Sequence, residues 1–300
     1  HFVKWSKDEQ AGRGHSFIER MRHSFYMATV GKSIRSALGP NLKWLACGGA
    51  PLNVDLAHFF NGMDDITFIQ GYGMTETAAP FAATRVTDNV IGTVGQPAPG
   101  SSIRISDEGE LQVKGPNVFR GYHNLPEKTA EAFTADGWLR TGDLAEIDDE
   151  GHIIITGRIK DIIITAGGKN VSPGPIEDVI KRCEFVSQAL VLGDKRPFIS
   201  ALITLDEEAL RPWLESKGLN RDMSMEEASS NAAVRAEVQK WVDQANEGVS
   251  RAESVRKFII LPEEFTQENG LMTASMKVIR PKVIKRYATL LNTQMYTKKK

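Results

Sequence analysis

The sequence predicts an α/β protein of two domains. Three observations indicate this: helical and strand-like apolar patterns alternate at the start of the chain, short strands split by glycine and proline follow, and strands mixed with helices fill the remainder. We expect residues 1–91 to form part of a parallel, helix-covered sheet and residues 92–159 to form a small antiparallel β-barrel or sheet. Residues 160–300 are expected to form a separate α+β domain.

The first segment alternates between helical and strand-like patterns. Between residues 16 and 38, apolar residues recur at three- and four-residue spacing, which predicts a long amphipathic helix that ends near Gly39. Continuous apolar runs then predict strands at 42–47 and 66–70, with a helix at 54–61 between them. This αβαβ order favours a mostly parallel sheet that is covered by helices.

The rest of the chain changes character twice. Short strands bounded by turn residues are predicted at 102–105, 110–114, 139–147 and 152–156, with a hairpin turn at 148–151. After residue 161 the predicted elements are a strand at 162–165, a helix at 173–181, strands at 188–192 and 199–205, a helical insertion at 206–248 and a last strand at 257–261.

The composition excludes several classes of protein. The chain has 300 residues, of which 41% are apolar and 25% charged, as is typical of a globular protein. A formal net charge of -1 predicts no nucleic-acid partner. Cys47 and Cys183 form neither a disulfide framework nor a zinc signature, so we expect a reducing, cytoplasmic location. No apolar run is long enough to span a bilayer, and peripheral contact with a membrane stays open.

Four segments carry residues suited to phosphate chemistry. They are Gln70-Gly71-Tyr72-Gly73-Met74-Thr75-Glu76-Thr77, Trp138-Leu139-Arg140-Thr141-Gly142-Asp143, the stretch from Gly157 to Asn170, and Thr273-Ala274-Ser275-Met276-Lys277. A hydroxyl and a carboxylate after two glycines can approach a phosphate and hold Mg²⁺. An aspartate at a strand end can accept hydrogen bonds from both hydroxyls of a ribose. The first two segments alone also fit ordinary turns, residues 166–168 alone fit the turn of a β-hairpin, and Lys277 alone fits an ordinary surface lysine.

In this order and spacing, the four segments together resemble the AMP-forming adenylating superfamily of acyl-CoA synthetases, luciferases and peptide-synthetase adenylation domains. The resemblance implies ATP-dependent activation of a fatty acid to an acyl-adenylate, followed by transfer to CoA. Met276 stands where most members have glycine, which points to the long-chain fatty acid–CoA ligases. The cofactors and partners implied are ATP, Mg²⁺, CoA and a fatty acid.

The resemblance assigns residues 1–159 to the carboxyl-terminal part of the large nucleotide- and acyl-binding domain. The nucleotide-binding residues that it implies are Gly48, Gly49, Ala50, Gly71, Tyr72, Gly73, Thr75, Asp143 and Arg158. Tyr72 would stack on adenine, Asp143 would bind the ribose hydroxyls, and Arg158 would reach the same nucleotide. Thr75 and Glu76 would be catalytic residues, with Thr75 bonded to a phosphate oxygen and Glu76 as the Mg²⁺ ligand.

The resemblance also assigns residues 160–300 to a mobile lid domain. Lys277 would be the main catalytic residue, because it would neutralise charge at the transferring phosphoryl group. Lys160 would be the hinge that absorbs a backbone rotation between the two half-reactions. Gly167 and Gly168 would leave room for the pantetheine arm of CoA.

Two other functions stay open, and the chain is expected to be a fragment. An adenylation domain that loads a carrier protein, and a non-catalytic protein of the same fold, would both fit the sequence. The chain begins at His1 without a methionine, and no Ser/Thr/Gly-rich phosphate loop precedes Tyr72. We therefore expect an upstream amino-terminal half of the same protein as a partner, and little or no activity from the fragment alone.

Overall fold

A computed structural model describes residues 1–49, 52–64 and 66–296. The chain divides into two compact units, with the boundary between Ile159 and Lys160. Among the described residues, no helix is both long enough and apolar enough to cross a membrane.

The first unit opens with helices and a mixed sheet. Its elements are α1 (Phe2–Gln10), α2 (Phe17–Tyr26), α3 (Lys32–Leu38), β1 (Trp44–Gly48), α4 (Val54–Asn61), β2 (Thr67–Met74), β3 (Ala79–Ala83) and β4 (Gln96–Pro97). Strands β1 and β2 are parallel, whereas β3 and β4 extend the sheet in antiparallel pairs. The predicted parallel pairing is confirmed for β1 and β2, and the predicted helix at 54–61 is confirmed as α4.

Local capping explains where the first helices begin. Ser16 and Glu19 form a reciprocal capping box at the start of α2, and Asn53 caps α4 by accepting two backbone N–H groups. The long helix predicted at 16–38 is confirmed, with a π-helical turn at Met27–Gly31 between α2 and α3.

Helix α1 was not predicted, because most of its residues are polar. It is held against α4 by specific contacts: the Ser6 hydroxyl lies 3.0 Å from His58 Nδ1, and the Lys7 ammonium lies 2.6 Å from the Asp55 carboxylate. A Cβ on Gly62 would lie 2.2 Å from the carbonyl oxygen of Phe2, so this helix approaches the turn after α4 closely only because residue 62 is glycine.

The rest of the first unit is an antiparallel sheet. Its elements are β5 (Ser102–Ile105), β6 (Glu110–Lys114), α5 (Pro126–Ala132), β7 (Leu139–Ile147) and β8 (Ile153–Arg158). The strand order is β5-β6-β7-β8, and among the described residues β5 does not pair with β8. The predicted antiparallel subdomain is confirmed in the form of an open sheet, not of a closed barrel. Phe81 of the first sheet packs with Leu111, Leu139 and Ile153 of the second in one buried core.

A buried histidine connects the β7–β8 turn to the segment between β3 and β4. His152 is 3% exposed, and its Nδ1 and Nε2 atoms each lie 2.9 Å from a carboxylate, of Asp148 and of Asp88 respectively. Burial of the ring disfavours the imidazolium, but the hydrogen bonds and negative charges of the two aspartates outweigh burial and raise the pKa of His152.

The second unit has an α+β architecture, as predicted. Its elements are β9 (Ile163–Ile164), β10 (Asn170–Val171), α6 (Pro173–Ile180), β11 (Val186–Leu192), β12 (Ile199–Leu205), α7 (Glu207–Ser216), α8 (Met225–Ser230), α9 (Ala232–Glu247), β13 (Val255–Leu261), α10 (Arg280–Arg286) and α11 (Ala288–Leu290). Strand β12 is the centre of a three-stranded sheet, antiparallel to β11 and parallel to β13.

Both faces of this central strand are covered. Ala201 and Ile203 face a core that includes residues of α6, α7 and α9, and Leu202 faces a second core that includes Val283 of α10. The alternation follows from the two-residue period of a strand. Because both faces are covered, every residue of β12 is buried, and its sequence is correspondingly a nearly continuous apolar run.

We predict that His152 makes stability depend on pH. Its pKa is raised in the folded state, so its contribution is fully present below the ordinary histidine value and is lost as the pH rises through the raised value. One proton gives a slope of at most about 1.4 kcal/mol per pH unit. Urea unfolding at several pH values should show this slope in the unsubstituted chain and lose it in His152→Gln. His123→Gln, at an exposed histidine of the same unit, is the control and should keep the slope.

Candidate functional site

Two side chains of the first unit, those of Tyr72 and Arg158, meet at the carboxylate of Asp143. The Tyr72 hydroxyl donates to Oδ2 at 2.6 Å, and Nε of Arg158 donates to Oδ1 at 2.7 Å. Asp143 is only 6% exposed, and the guanidinium supplies the partner that a buried charge requires. Since a carboxylate has about four acceptor positions, the two bonds orient Asp143 and leave acceptor capacity for donors such as sugar hydroxyls.

Strand pairing explains why residues far apart in sequence meet here. Strands β7 and β8 are antiparallel neighbours, and their register places Asp143 opposite Arg158. Opposite charges at such positions stabilise a strand pair by about 0.2–1 kcal/mol. Gly142 has a φ of 72°, a left-handed conformation that favours glycine. The Asp143 backbone N–H donates to the Thr141 hydroxyl at 3.1 Å, so a hydrogen bond links the residues directly before and after this glycine.

Tyr72 brings the first sheet to the same carboxylate. A register shift between Tyr72 and Gly73 marks an irregularity in β2 at this point, as is common beside functional sites. Burial and the neighbouring negative charge of Asp143 raise the pKa of the Tyr72 phenol far above its ordinary value. The hydroxyl therefore stays protonated and can act as the donor to Asp143.

The ends of β1 and β2 place two glycine segments side by side. Gly48 pairs with Gly71, and a Cβ on Gly48 would lie 3.1 Å from the Gly71 carbonyl oxygen. Gly49 has a φ of 80°, so glycine is favoured there as well. The carboxyl ends of parallel strands form the edge at which α/β sheets bind ligands. Ala50, the third residue predicted for this turn, lies outside the described residues.

Thr75 and Glu76 lie directly after β2, in the short 3₁₀ turn Thr75–Thr77. Thr75 is exposed and Glu76 is half-buried. The Tyr122 hydroxyl donates to Oε1 of Glu76 at 2.6 Å. A carboxylate held in this way has the oxygen chemistry that Mg²⁺ requires, since Mg²⁺ is usually bound by one or two carboxylates together with substrate phosphates and water.

A second cluster of potential metal ligands lies elsewhere in this unit. Ligand atoms of Asp148, Glu150 and His152 lie within 4.8 Å of one another, and this is the one such group of three in the part of the chain that the structure describes. Both ring nitrogens of His152 already have carboxylate partners. We therefore interpret this cluster as a structural ion-pair network.

In the second unit, Lys277 lies on a tight loop that is closed by the pairing of Met272 with Val278. The Thr273 backbone N–H donates to the Lys277 carbonyl at 2.8 Å, and the Lys277 backbone N–H donates to the Thr273 hydroxyl at 3.1 Å. The Lys277 side chain is exposed. The loop thus has a hydrogen-bonded backbone that presents the ammonium group to solvent.

Met276 has an unusual backbone conformation on this loop. Its φ is 58°, in the left-handed region that costs a residue other than glycine about 1–2 kcal/mol. Its side chain is 64% exposed, and its sulfur accepts a contact from Nε2 of Gln267 at 3.3 Å. The position at which the resemblance expects glycine is therefore one at which the backbone favours glycine.

Arg280 lies just after the loop that carries Lys277, residues 272–278, which we call the lysine loop. It anchors the carboxyl-terminal end of this loop. Its guanidinium donates to both carboxylate oxygens of Glu177, at 2.5 and 2.6 Å, and to the Val191 carbonyl at 3.1 Å. Burial raises the pKa of Glu177, and the charge of Arg280 opposes that shift. Nε of Arg280 also lies 3.8 Å from the Asp161 carboxylate. One side chain thus connects the lysine loop, α6 and β11 with the residue after the predicted hinge.

The predicted hinge and CoA-contacting glycines occupy distinct local structures. Lys160 is exposed and lies in the 3₁₀ turn Ile159–Asp161, where the two units divide. Gly167 and Gly168 form the turn between the antiparallel strands β9 and β10, and Gly168 has a φ of 78°. The β-hairpin is therefore the local structure here, and the roles of these residues in rotation and CoA binding stay predictions.

Tyr122 and Glu177 were not singled out from the sequence. Tyr122 contacts Glu76 across 46 positions, and Glu177 contacts Arg280 across 103 positions. No local pattern links such distant residues. The nearest signal is Gly121-Tyr122 before a proline-started helix, which indicates a constrained turn.

Comparison with protein families identifies the chain. The family model "AMP-binding enzyme" matches residues 14–123, and the model "AMP-binding enzyme C-terminal domain" matches residues 160–300. The chain belongs to the AMP-binding enzyme family. Asp143 and Arg158 lie between the two matched ranges, so their assignment depends on the geometry above.

Individual relatives agree with this family. The chain is 44% identical over 287 residues to the long-chain-fatty-acid–CoA ligase FadD15 of Mycobacterium bovis, covering 96% of this chain and 47% of the relative. It is 33% identical over 275 residues to the human long-chain-fatty-acid–CoA ligase 1, covering 87% of this chain and 39% of the relative. The chain thus spans about half the length of the curated relatives that it matches or less.

Solved structures support the fold. The adenylation domain of a carboxylate reductase from Mycobacterium chelonae matches with a TM-score of 0.68 and 22% identity, covering 97% of this chain and 44% of that chain. This agreement confirms the predicted α/β fold class.

We predict that Met276→Gly costs little stability although it removes a whole side chain. Release of the left-handed strain, about 1–2 kcal/mol, offsets the entropic cost of glycine, about 0.5–1 kcal/mol. Ala274→Gly, in the same loop but without a positive φ, lacks this compensation and serves as the control. Thermal unfolding should rank Ala274→Gly as the less stable variant, and the reverse order would contradict a strained backbone at Met276.

We predict that Arg280→Met strongly destabilises the second unit. Glu177 is 8% exposed, and removal of one partner of a buried ion pair costs about 3–5 kcal/mol because the other charge is left unpaired. The control is Arg286→Met, which breaks an exposed ion pair with Glu263 and should cost at most about 1 kcal/mol. Urea unfolding measures the free energy of unfolding of both variants. Equal losses would contradict a larger contribution from the Arg280–Glu177 pair.

Proposed function

We propose that this chain carries the nucleotide- and thiol-handling parts of an AMP-forming long-chain fatty acyl-CoA synthetase. A fatty acid and ATP would give an acyl-adenylate and pyrophosphate, and the acyl-adenylate and CoA would then give acyl-CoA and AMP. The observation that carries the proposal is that Tyr72 and Arg158 both donate to the buried carboxylate of Asp143. The names of the relatives support the substrate class, since both are long-chain-fatty-acid–CoA ligases.

The main obstacle to the first half-reaction is electrostatic. A carboxylate must attack the α-phosphate of ATP, so one anion approaches another and pyrophosphate departs. Catalysis therefore needs cations and aligned donors at the phosphates more than it needs proton transfer. In this proposal Asp143 accepts hydrogen bonds from the ribose hydroxyls. Arg158 and Tyr72 hold its carboxylate in the orientation that these hydrogen bonds require.

Thr75 and Glu76 would act at the phosphates. Thr75 is an exposed residue directly after the carboxyl end of β2, and its hydroxyl would donate to a phosphate oxygen. Glu76 has the carboxylate that would hold Mg²⁺, and Mg²⁺ bound there would offset the negative charge of the phosphates. The glycines on either side of Tyr72 allow the backbone to approach the nucleotide.

The second unit would supply a cation and then a path for the thiol. Lys277 is exposed on a hydrogen-bonded loop, and an ammonium about 4 Å from a developing charge contributes on the order of 4 kcal/mol at an effective dielectric of about 20. That is about a thousandfold in rate. Rotation at Lys160 would then bring Gly167 and Gly168 to the pantetheine arm of CoA.

The test separates the two half-reactions in the protein at its full natural length. Lys277→Ala should lower long-chain acyl-adenylate formation by about a thousandfold, measured as pyrophosphate release, and leave conversion of supplied acyl-adenylate to acyl-CoA largely intact. Lys160→Pro should do the reverse, because proline restricts the backbone rotation.

The controls decide between functions. Lys285→Ala, at an exposed lysine of α10, should change neither half-reaction. Acids of several chain lengths and two thiol acceptors, CoA and a pantetheinylated carrier protein, should be compared. Equal losses in both half-reactions for both variants would refute the division of labour, and a preference for the carrier protein would refute CoA as the acceptor.

A further inference from the structure

One segment of the first unit supports the turn that contains Glu76. The Phe119 backbone N–H donates to the Glu76 carbonyl at 2.8 Å, and Nδ2 of Asn117 donates to the Thr77 carbonyl at 3.2 Å. The Tyr122 hydroxyl donates to Oε1 of Glu76 at 2.6 Å. Both the backbone and the side chain of Glu76 are therefore bonded by residues 117–122.

Tyr122 is itself fixed by the start of α5. Its backbone N–H donates to the Thr129 hydroxyl at 2.9 Å, and that hydroxyl donates to the Leu125 carbonyl at 2.9 Å. A Cβ on Gly121, whose φ is 148°, would lie 2.5 Å from Cγ2 of Thr129, so the close approach requires glycine. The Tyr122 ring also packs edge-on against Phe119, with the centroids 4.9 Å apart. The phenol is therefore held in place before any ligand arrives.

The contact has a clear donor and acceptor. The hydrogen bond to Glu76 raises the pKa of Tyr122 to about 12, with burial and the carboxylate charge adding to the effect. At neutral pH the phenol is protonated and donates, and Oε1 accepts. A tyrosine that donates to a carboxylate in this way limits the rotation of the carboxylate and removes one acceptor position from it.

We propose that Tyr122 is a positioning residue that orients the Glu76 carboxylate for a divalent cation. The inference rests on the proposed function for the role of Glu76, but the contact itself does not. Residues that hydrogen-bond to a metal ligand tune metal affinity, and their loss commonly lowers that affinity tenfold or more. Tyr122 thereby extends the site to a segment that the nucleotide-binding residues do not include.

The first experiment tests the contact in this 300-residue chain. Ring-carbon NMR of labelled tyrosine at neutral pH, with assignment by Tyr122→Phe, reports on the hydrogen bond of each phenol. Glu76→Gln replaces the charged acceptor of Tyr122 and should shift the Cζ resonance of Tyr122. The matched control is Glu263→Gln, which replaces the carboxylate partner of Tyr287 and should shift the resonance of Tyr287 but not that of Tyr122. An unchanged Tyr122 resonance in Glu76→Gln would overturn the proposal.

The second experiment tests the consequence in the protein at its full natural length. Tyr122→Phe should raise the Mg²⁺ concentration for half-maximal acyl-adenylate formation by about tenfold or more, with little change in the rate at saturating Mg²⁺. Tyr287→Phe removes a similar phenol–carboxylate hydrogen bond, to Glu263 at 3.2 Å, and should leave the Mg²⁺ dependence unchanged. Thermal unfolding should show that both variants stay folded.

The outcomes separate this inference from the proposed function. If Glu76→Gln raises the Mg²⁺ requirement and Tyr122→Phe does not, the positioning role is refuted and the proposed function stands. If neither variant changes the requirement, the role of Glu76 in the proposed function is refuted as well. Absence of acyl-adenylate formation by the unsubstituted protein would overturn both.

Discussion

The first unit depends on the hydrogen bonds that stabilise one buried carboxylate, that of Asp143. Asp143 lies where the two sheets of this unit come together, and it bonds Tyr72 of the first sheet and Arg158 of the second. An unpaired buried charge would destabilise the fold. The antiparallel register of β7 and β8 must therefore bring Arg158 to Asp143, and the course of β2 must bring Tyr72 to it. The same contacts would orient this carboxylate for the sugar hydroxyls that we propose it binds. Under that proposal, structural and functional demands coincide at this residue.

Most of the fold could be predicted because its elements have clear periodicity. Strand β12 is a nearly continuous apolar run, since both of its faces are covered, and α4 has an asparagine cap. Helix α1 could not be predicted, because tertiary contacts with α4 stabilise it and its own sequence is polar. The choice between an open sheet and a closed barrel also lay beyond the sequence, since it depends on whether β5 and β8 pair, and strand composition carries no information on that.

The candidate site was predictable only in part. The resemblance implied Gly49 and Gly168 as site residues and included Gly142 in one of its four segments, and all three have a positive φ in the structure. The spacing of Asp143 and Arg158 is explained by a hairpin that the sequence also predicted. Tyr122 and Glu177 could not be found in this way, because their partners are brought to them by the fold. Residues that orient others leave weaker local signals than residues on glycine-rich turns.

The helical segment 206–248 has a consequence for how this unit can vary. Leu210, Leu214, Val234 and Val238 belong to the same core as Ala201 and Ile203 of β12, so the segment covers an apolar face of the sheet and is not an appendage. A lineage that shortened it would have to find another cover for that face at the same time. Gradual trimming is therefore disfavoured, and length changes should be tolerated in the exposed turns between these helices before they are tolerated in the helices themselves.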